Sequence, residues 1–414
     1  MASTEAPAAA TGAAETGAAE TGAADWLCTP EAVRAQARAL FERCAAGCSA
    51  HFTLQPERLN ACAAEVVATI RANYPALDVP PHARWRHFVL GGRDRWAEQV
   101  AALSLSALER ARIECELAIV SVLLDAGAGA AWHFRAANGE TYARSEGLAL
   151  ASLEMFCTGA FGGGRIGTTA EALAGFTPRA LAKGFQVTPA NPLDGLEGRA
   201  ALIASLGRTV AARPDIFGTP ARLGHLADHL LAKGPALPAR EILMTLLDAL
   251  GPIWPGTPVL DGRALGDCWA HPDAPAPGLV PFHKLSQWLS YSLVEPLGRA
   301  GLTITDLDGL TGLAEYRNGG LFLDAGVLAL RDPEAASQAH ALDSPLIIEW
   351  RALTVILLDQ IAERVRAQLG LSPEHLPLAA VLEGGTWATG RRLAAQRRPG
   401  GPPPLTIRST GTVF

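Results

Sequence analysis

Apolar residues recur at helical spacing along most of this chain, and that periodicity limits the possible folds more than any other feature. The segment TPEAVRAQARALFERCAA opens with a Thr cap at Thr29, a proline at the first helical position and Glu31 behind it, then sets Val33, Ala37, Leu40 and Phe41 on one face. QPERLNACAAEVVATIRANYP has the same form and stops at Pro75. Similar stretches predict helices over 104–125, 146–157, 169–174, 196–212, 219–233, 238–250, 282–299, 306–315, 349–369 and 389–396. The main exception is WHFRAANGETYARSEG, residues 132–147, where Asn138-Gly139 between two short β-prone runs predicts a hairpin with a two-residue turn. A lone hairpin needs helices to pack against. Shorter extended pieces are expected at Val89–Leu90, at Leu321–Phe322 and in the C-terminal LTIRSTGTVF. Strands and helices do not alternate as a doubly wound sheet requires, so the expected fold is mostly α with a small β-hairpin or sheet element.

The sequence has 414 residues, enough for a large core. A net charge of −6 gives no basic field for a nucleic acid polymer. The longest apolar run, 117–124 broken only by Ser121, is far short of the ~20 residues a membrane helix needs. Seven cysteines form an odd set without CxxC spacing, so reduced thiols and a cytoplasmic location are expected. No basic region followed by an apolar core marks a secretory signal at the N-terminus. Residues 1–25 carry the near-repeat TGAAE TGAAE TGAAD and are expected to form a disordered tail. Residues 26–414 then form one helical unit, open to division into two lobes, 26–160 with the C-terminal segment and 161–380.

One stretch breaks the apolar pattern in an informative way. In 282–328, FHKLSQWLSYSLVEPLGRAGLTITDLDGLTGLAEYRNGGLFLDAGVL, His283, Lys284 and Gln287 lie within about one helical turn of each other. Glu315, Tyr316 and Arg317 interrupt LTGLA ahead of the pair Gly319-Gly320. Polar groups at such positions are costly in a core and tolerable around a pocket, so the stretch is read as half of a binding site for a small polar molecule. The chain has 35 basic residues, of which Lys183, Lys233 and Lys284 alone are lysines. A lysine kept among apolar neighbours in an arginine-rich chain suits a task for a compact ammonium, although a snorkelling surface lysine explains it equally well.

Other motifs are weaker. Gly162, Gly164 and Gly167 match GxGxxG but follow a helix, with no acidic residue on a second strand, so they read as a loop. His225 and His229 share a helical face without a third ligand at recognisable spacing, and there is no HExxH. No GxSxG or cysteine nucleophile stands out. Carboxylates remain as the candidates: Asp125, Glu315, Asp324 and Glu383 each stand at the end of an apolar run, where an acid is either a structural cap or a group that stabilises positive charge or activates water.

The ordered blocks GETYARSEGLALASLEM, PFHKLSQWLSYSL, DLDGLTGLAEYRNGGLF, IIEWRALTVILLDQI, VLEGGTW and LTIRSTGTVF resemble the uracil-catabolism protein four family of fungi and bacteria. More distantly they resemble the queuosine 5′-phosphate N-glycosylases of queuosine salvage, over roughly residues 85–414. The resemblance implies a helical protein related to helix-hairpin-helix DNA glycosylases. It matches the salvage family's catalytic aspartate with Glu315, its second acid with Glu383, a tryptophan with Trp387, a lysine with Lys284 and a glutamine with Gln287. Leu313 stands where that family has an aromatic, and Glu replaces Asp at 315; both departures favour a leaving group smaller than a deazapurine.

What the resemblance implies for function is an N-glycosidase of pyrimidine breakdown, hydrolysing ribosylurea or its 5′-phosphate to urea and the sugar. Such a reaction needs a carboxylate near C1 and a positioned water. Glu315 is the expected carboxylate, and Lys284 and Arg317 are expected to bind phosphate or hold the acid ionised. His283, Gln287, Tyr316, Asp125, Asp324 and Trp387 complete the expected substrate-binding set, with Glu383 or a water as the second acid. The chemistry demands no metal and no organic cofactor. Two alternatives stay open: cleavage of another nucleoside 5′-phosphate, and a non-catalytic protein that holds a pathway intermediate.

Overall fold

A computed structural model describes residues 22–408, Pro255 excepted. Most of the tail expectation and the end of the C-terminal strand lie outside those residues. The part of the tail that is described is helical: Ala23–Leu27 forms a short helix, Ala24 is buried, and Asp25 pairs with Arg263.

The structure is mostly α. Among the described residues its strands form seven two-stranded pairs and no larger sheet. The periodic segments become the helices Pro30–Ala45, Leu59–Asn73, Ala107–Leu123, Arg144–Cys157, Leu196–Ala212, Ala239–Leu250, Lys284–Arg299, Pro345–Leu369 and Trp387–Arg397. Their starts follow capping chemistry: Thr29 Oγ1 accepts from Ala32 N at 3.1 Å, and Ser106 Oγ from Glu109 N at 3.2 Å. One apolar cluster draws buried side chains from Ala24 through Leu405.

Four expectations are corrected. The 132–147 hairpin forms, with His133–Arg135 antiparallel to Thr141–Ala143, but its loop has three residues. Ala136 N reaches Glu140 O and Gly139 N reaches Ala136 O, with Gly139 at φ +84, so a turn runs into a one-residue bulge that only glycine accommodates cheaply. Within 219–233 only His225–Leu231 is α-helical. The helix expected at 306–315 is a single 3₁₀ turn, Leu307–Gly309, and Leu321–Phe322 is helical rather than extended. The physical reason is Glu315, whose carboxylate caps a helix Tyr316–Asp324 and so starts it where the apolar repeat of 306–315 ends.

Several contacts place the site. Helix Lys284–Arg299 packs on Ala107–Leu123, and Tyr316–Asp324 packs on Trp387–Arg397. The second contact is close enough that a Cβ on Gly390 would collide with the carbonyl oxygen of Arg317. The chain's last described strand, Thr406–Ile407, pairs parallel with Ala339–His340 and carries its own residues to the cavity described next.

Candidate active site

A cavity of about 420 Å³ opens where these elements converge. Asp125 comes from just past the end of helix Ala107–Leu123, Lys284 from the first position of its helix, and Glu315, Tyr316 and Arg317 from the start of the short helix. Trp387 opens the last long helix, while His82 and His87 flank and enter the 3₁₀ segment Arg84–Phe88. Arg144, Ser145, Asp194, Trp288 and Leu313 complete the chemically distinct wall.

The charged half centres on Lys284, Glu315 and Asp125. Glu315 Oε2 accepts from Arg317 N at 2.7 Å and Oε1 from Asn318 N at 2.6 Å, so both oxygens are anchored by the amide end of a helix. Burial pushes its carboxyl above the ordinary range, against the pull of those amides and of Lys284. Burial likewise raises Asp125, whose opposing partners are chiefly Arg84 and Lys284. Arg84 Nη1 lies 3.2 Å from Asp125 Oδ1 at an angle unsuited to a hydrogen bond. Lys284 is pushed below the ordinary lysine value by burial, with Glu315 and Asp125 acting to hold its charge. Its ammonium sits 5.8 Å from the Trp288 ring and, among the described residues, has no carboxylate within 4.0 Å. Arg317 Nη1 donates to Gly401 O at 2.8 Å, and its guanidinium lies 5.1 Å from the Tyr316 ring.

The aromatic half centres on His82. Its ring stacks on Trp288 at 5.9 Å and 15°, and lies 6.4 Å from Trp387. His82 Nδ1 is 2.6 Å from Glu383 Oε2. Glu383 belongs to a π-helical turn, Leu382–Thr386, whose glycines press against Leu59–Asn73: a Cβ on Gly385 would meet Val66 at 2.5 Å. Such turns inside α-helices are frequent at functional sites. His87 is driven far below the ordinary imidazole value by burial first, with Arg84 and His82 adding to it, and is therefore neutral.

Of the ten residues singled out in the sequence, Asp125, Lys284, Glu315, Tyr316, Arg317 and Trp387 line the cavity. The other four stand outside its wall. His283 adopts φ +49 as the residue before its helix and ties Nε2 to Leu27 O at 2.8 Å. Gln287 Oε1 accepts from Thr311 N at 3.2 Å and so fixes the loop that leads to Glu315. Asp324 is held by Arg398 through bonds of 2.8 and 2.6 Å. Glu383 reaches the cavity only through His82. His225 Nδ1 meets Phe217 O at 2.7 Å, and the described residues include no group of three or more His, Cys, Asp or Glu arranged to hold a metal. The sequence reading missed His82, His87, Arg84 and Trp288; the one signal was the cluster PPHARWRHF, with two imidazoles and a tryptophan behind two prolines.

No helix among the described residues is long and apolar enough to cross a membrane. The family described as Protein of unknown function (DUF1688) matches residues 26–414. The chain is 38% identical over 397 residues to Protein urg3 of Schizosaccharomyces pombe, covering 92% of this chain and 96% of that one. It is 36% identical over 408 residues to Uracil catabolism protein 4 of Lachancea kluyveri, covering 88% and 92%.

Proposed function

This chain belongs to the uracil-catabolism protein 4 family, and from that premise we propose that it serves uracil catabolism as a hydrolase of an N-ribosyl bond, acting on ribosylurea or its 5′-phosphate. The observation that carries the reading is the buried Lys284 ammonium, without a carboxylate partner, beside the amide-anchored carboxylate of Glu315 on one cavity wall. Fixed charge of this kind is what an oxocarbenium-like transition state uses, since the dipoles are already aimed and need no reorganisation.

In this reading the C1–N bond breaks with its electron pair leaving on nitrogen, and Glu315 faces the positive charge that develops at C1. Burial has raised the proton affinity of Glu315, so it accepts the proton of the attacking water as the new C1–O bond forms. The Arg317 amide, Lys284 and the Asn318 amide favour the ionised form of Glu315 before the reaction. Arg317, with a planar fork, takes the 5′-phosphate, and Asp125 and Tyr316 take ribose hydroxyls. A cavity of about 420 Å³ falls in the range of small-ligand sites.

The test is incubation of the purified protein with ribosylurea, ribosylurea 5′-phosphate, uridine and UMP, with urea or uracil and free reducing sugar measured. Release from a ribosylurea, reduced by at least about two orders of magnitude in Glu315→Gln, is the expected result. No sugar from any of them would sink the hydrolase reading and leave a protein that binds an intermediate.

A further inference from the structure

Breaking the bond to urea needs a proton for the leaving nitrogen, and the cavity offers few groups to supply one. Glu315 begins as the carboxylate. Lys284 is the cation that favours the ionised form of Glu315 and is assigned to that role in the reading above. His87 is neutral. Asp125 faces Arg84 at 3.2 Å and is assigned to the ribose hydroxyls in the reading above.

His82 differs from all of these. Glu383 Oε2 lies 2.6 Å from Nδ1 and accepts the proton carried on that atom, which leaves Nε2 as the nitrogen that exchanges a proton with the cavity. The ring plane is set by the Trp288 stack, at 15°, and the backbone N–H of His82 is tied to Ala379 O at 2.9 Å, in the helical turn just before the π-helix that carries Glu383. Nε2 has no hydrogen-bond partner among the described residues, and the side chain lines the cavity. An imidazole held on one nitrogen by a carboxylate, fixed in plane and open on the other nitrogen is the arrangement that general acid–base catalysis uses.

We propose that His82 is the general acid of this site and that Glu383 is its positioning residue, a proposal that rests on the N-ribosyl hydrolase reading above. As the C1–N bond breaks, the electron pair on the departing nitrogen takes the proton from Nε2 of the doubly protonated His82 ring, which keeps its Nδ1 proton toward Glu383. Water forms the C1–O bond and gives a proton to Glu315. A proton then passes through solvent from Glu315 to His82, which restores both groups with no net redox change.

The experiment compares two substrates in wild type, His82→Gln and Glu383→Gln: ribosylurea (or its 5′-phosphate) and p-nitrophenyl β-D-ribofuranoside, whose leaving group is stable as an anion and needs no proton. His82→Gln should lose about 10²–10⁴ in kcat on the ribosylurea and less than about tenfold on the aryl riboside. Added imidazole should restore part of the ribosylurea activity in His82→Ala. Glu383→Gln should show the same selectivity, smaller, in kcat rather than KM. Equal loss on both substrates in variants that melt like wild type would overturn the role of His82 while leaving the hydrolase reading in place. Wild-type cleavage of the aryl riboside with none of any N-ribosyl compound would overturn both.

Discussion

Lys284 touches two buried charged sites at once, and they are built on opposite principles. Its backbone N–H donates to Asp267 Oδ2 at 3.0 Å, in a site where Arg351 closes on the same carboxylate through bonds of 2.8 and 2.6 Å and Trp269 Nε1 adds one of 2.6 Å. Its side chain enters the cavity, where the ammonium meets no carboxylate within 4.0 Å. Burial alone would raise Asp267, but Arg351 and the other donors outweigh it and hold the acid below its ordinary value. On the cavity side burial wins, so Glu315 and Asp125 are raised and Lys284 is lowered. The closed site spends its polar groups on the fold. The open one leaves its ammonium without such closure.

The largest expected effect falls on the closed site. Asp267→Asn leaves the Arg351 charge buried without its partner and should destabilise the protein by about 3–5 kcal/mol in urea unfolding. The pH sign follows from the lowered acid: native Asp267 binds its proton less readily than the unfolded chain does. Its stabilisation is therefore full above the unfolded value near 3.8 and is lost as pH falls through the folded value. Wild type and Asp267→Asn should converge in stability in strong acid. A variant as stable as wild type at neutral pH would erase the contrast between the two sites.

Next comes Glu315→Gln. A loss of at least about two orders of magnitude in turnover is expected, with binding of the intact substrate retained. Gln keeps one acceptor for the amides of Arg317 and Asn318, so the helix loses part of a cap, at a cost of about 1 kcal/mol. A variant that loses stability but keeps turnover would reassign Glu315 to the fold, on the same footing as Asp267.

Glu315 also marks the limit of what could be read in advance. Helices such as Pro30–Ala45 and Ala107–Leu123 were legible because a Thr or Ser cap and an apolar stripe agree there. Over 306–324 they disagree: LDGLTGLA carries an apolar repeat, while its cap is a glutamate at the far end, a residue outside the usual capping set. Lys284, Arg317 and Trp387 could be found because each is a polar or aromatic group at an element start within an apolar run. The His82–Glu383 contact could not, since its partners are 301 residues apart and a π-turn, invisible to a 3.6-residue period, sets the register of Glu383.

A smaller effect should come from the packing that seats Arg317. Gly390→Ala sets a methyl against the Arg317 carbonyl, and the two helices must separate, at a cost of about 1–3 kcal/mol. If Arg317 holds the 5′-phosphate, KM for the phosphorylated substrate should rise while that for the unphosphorylated one stays near wild type. Equal shifts for both would detach Arg317 from phosphate and leave it as a support for the loop at Gly401.

The smallest expected change in stability belongs to Lys284→Met, and its sign separates the two sites most sharply. The folded protein lowers the proton affinity of Lys284, chiefly through burial, so the unfolded chain binds that proton more tightly over the window from the folded value up to about 10.5. Within that window stability rises with pH as the penalty of the buried charge is removed, and below it the penalty is present in full. Lys284→Met should therefore leave neutral-pH stability unchanged or raise it by about 1 kcal/mol, with the difference shrinking toward alkaline pH. The same change should lower kcat, because Glu315 loses one of the groups that favour its ionised form. A marked loss of stability at neutral pH would mean that the ammonium is already satisfied without a ligand, and that the cavity is closed in the same sense as the Asp267 site.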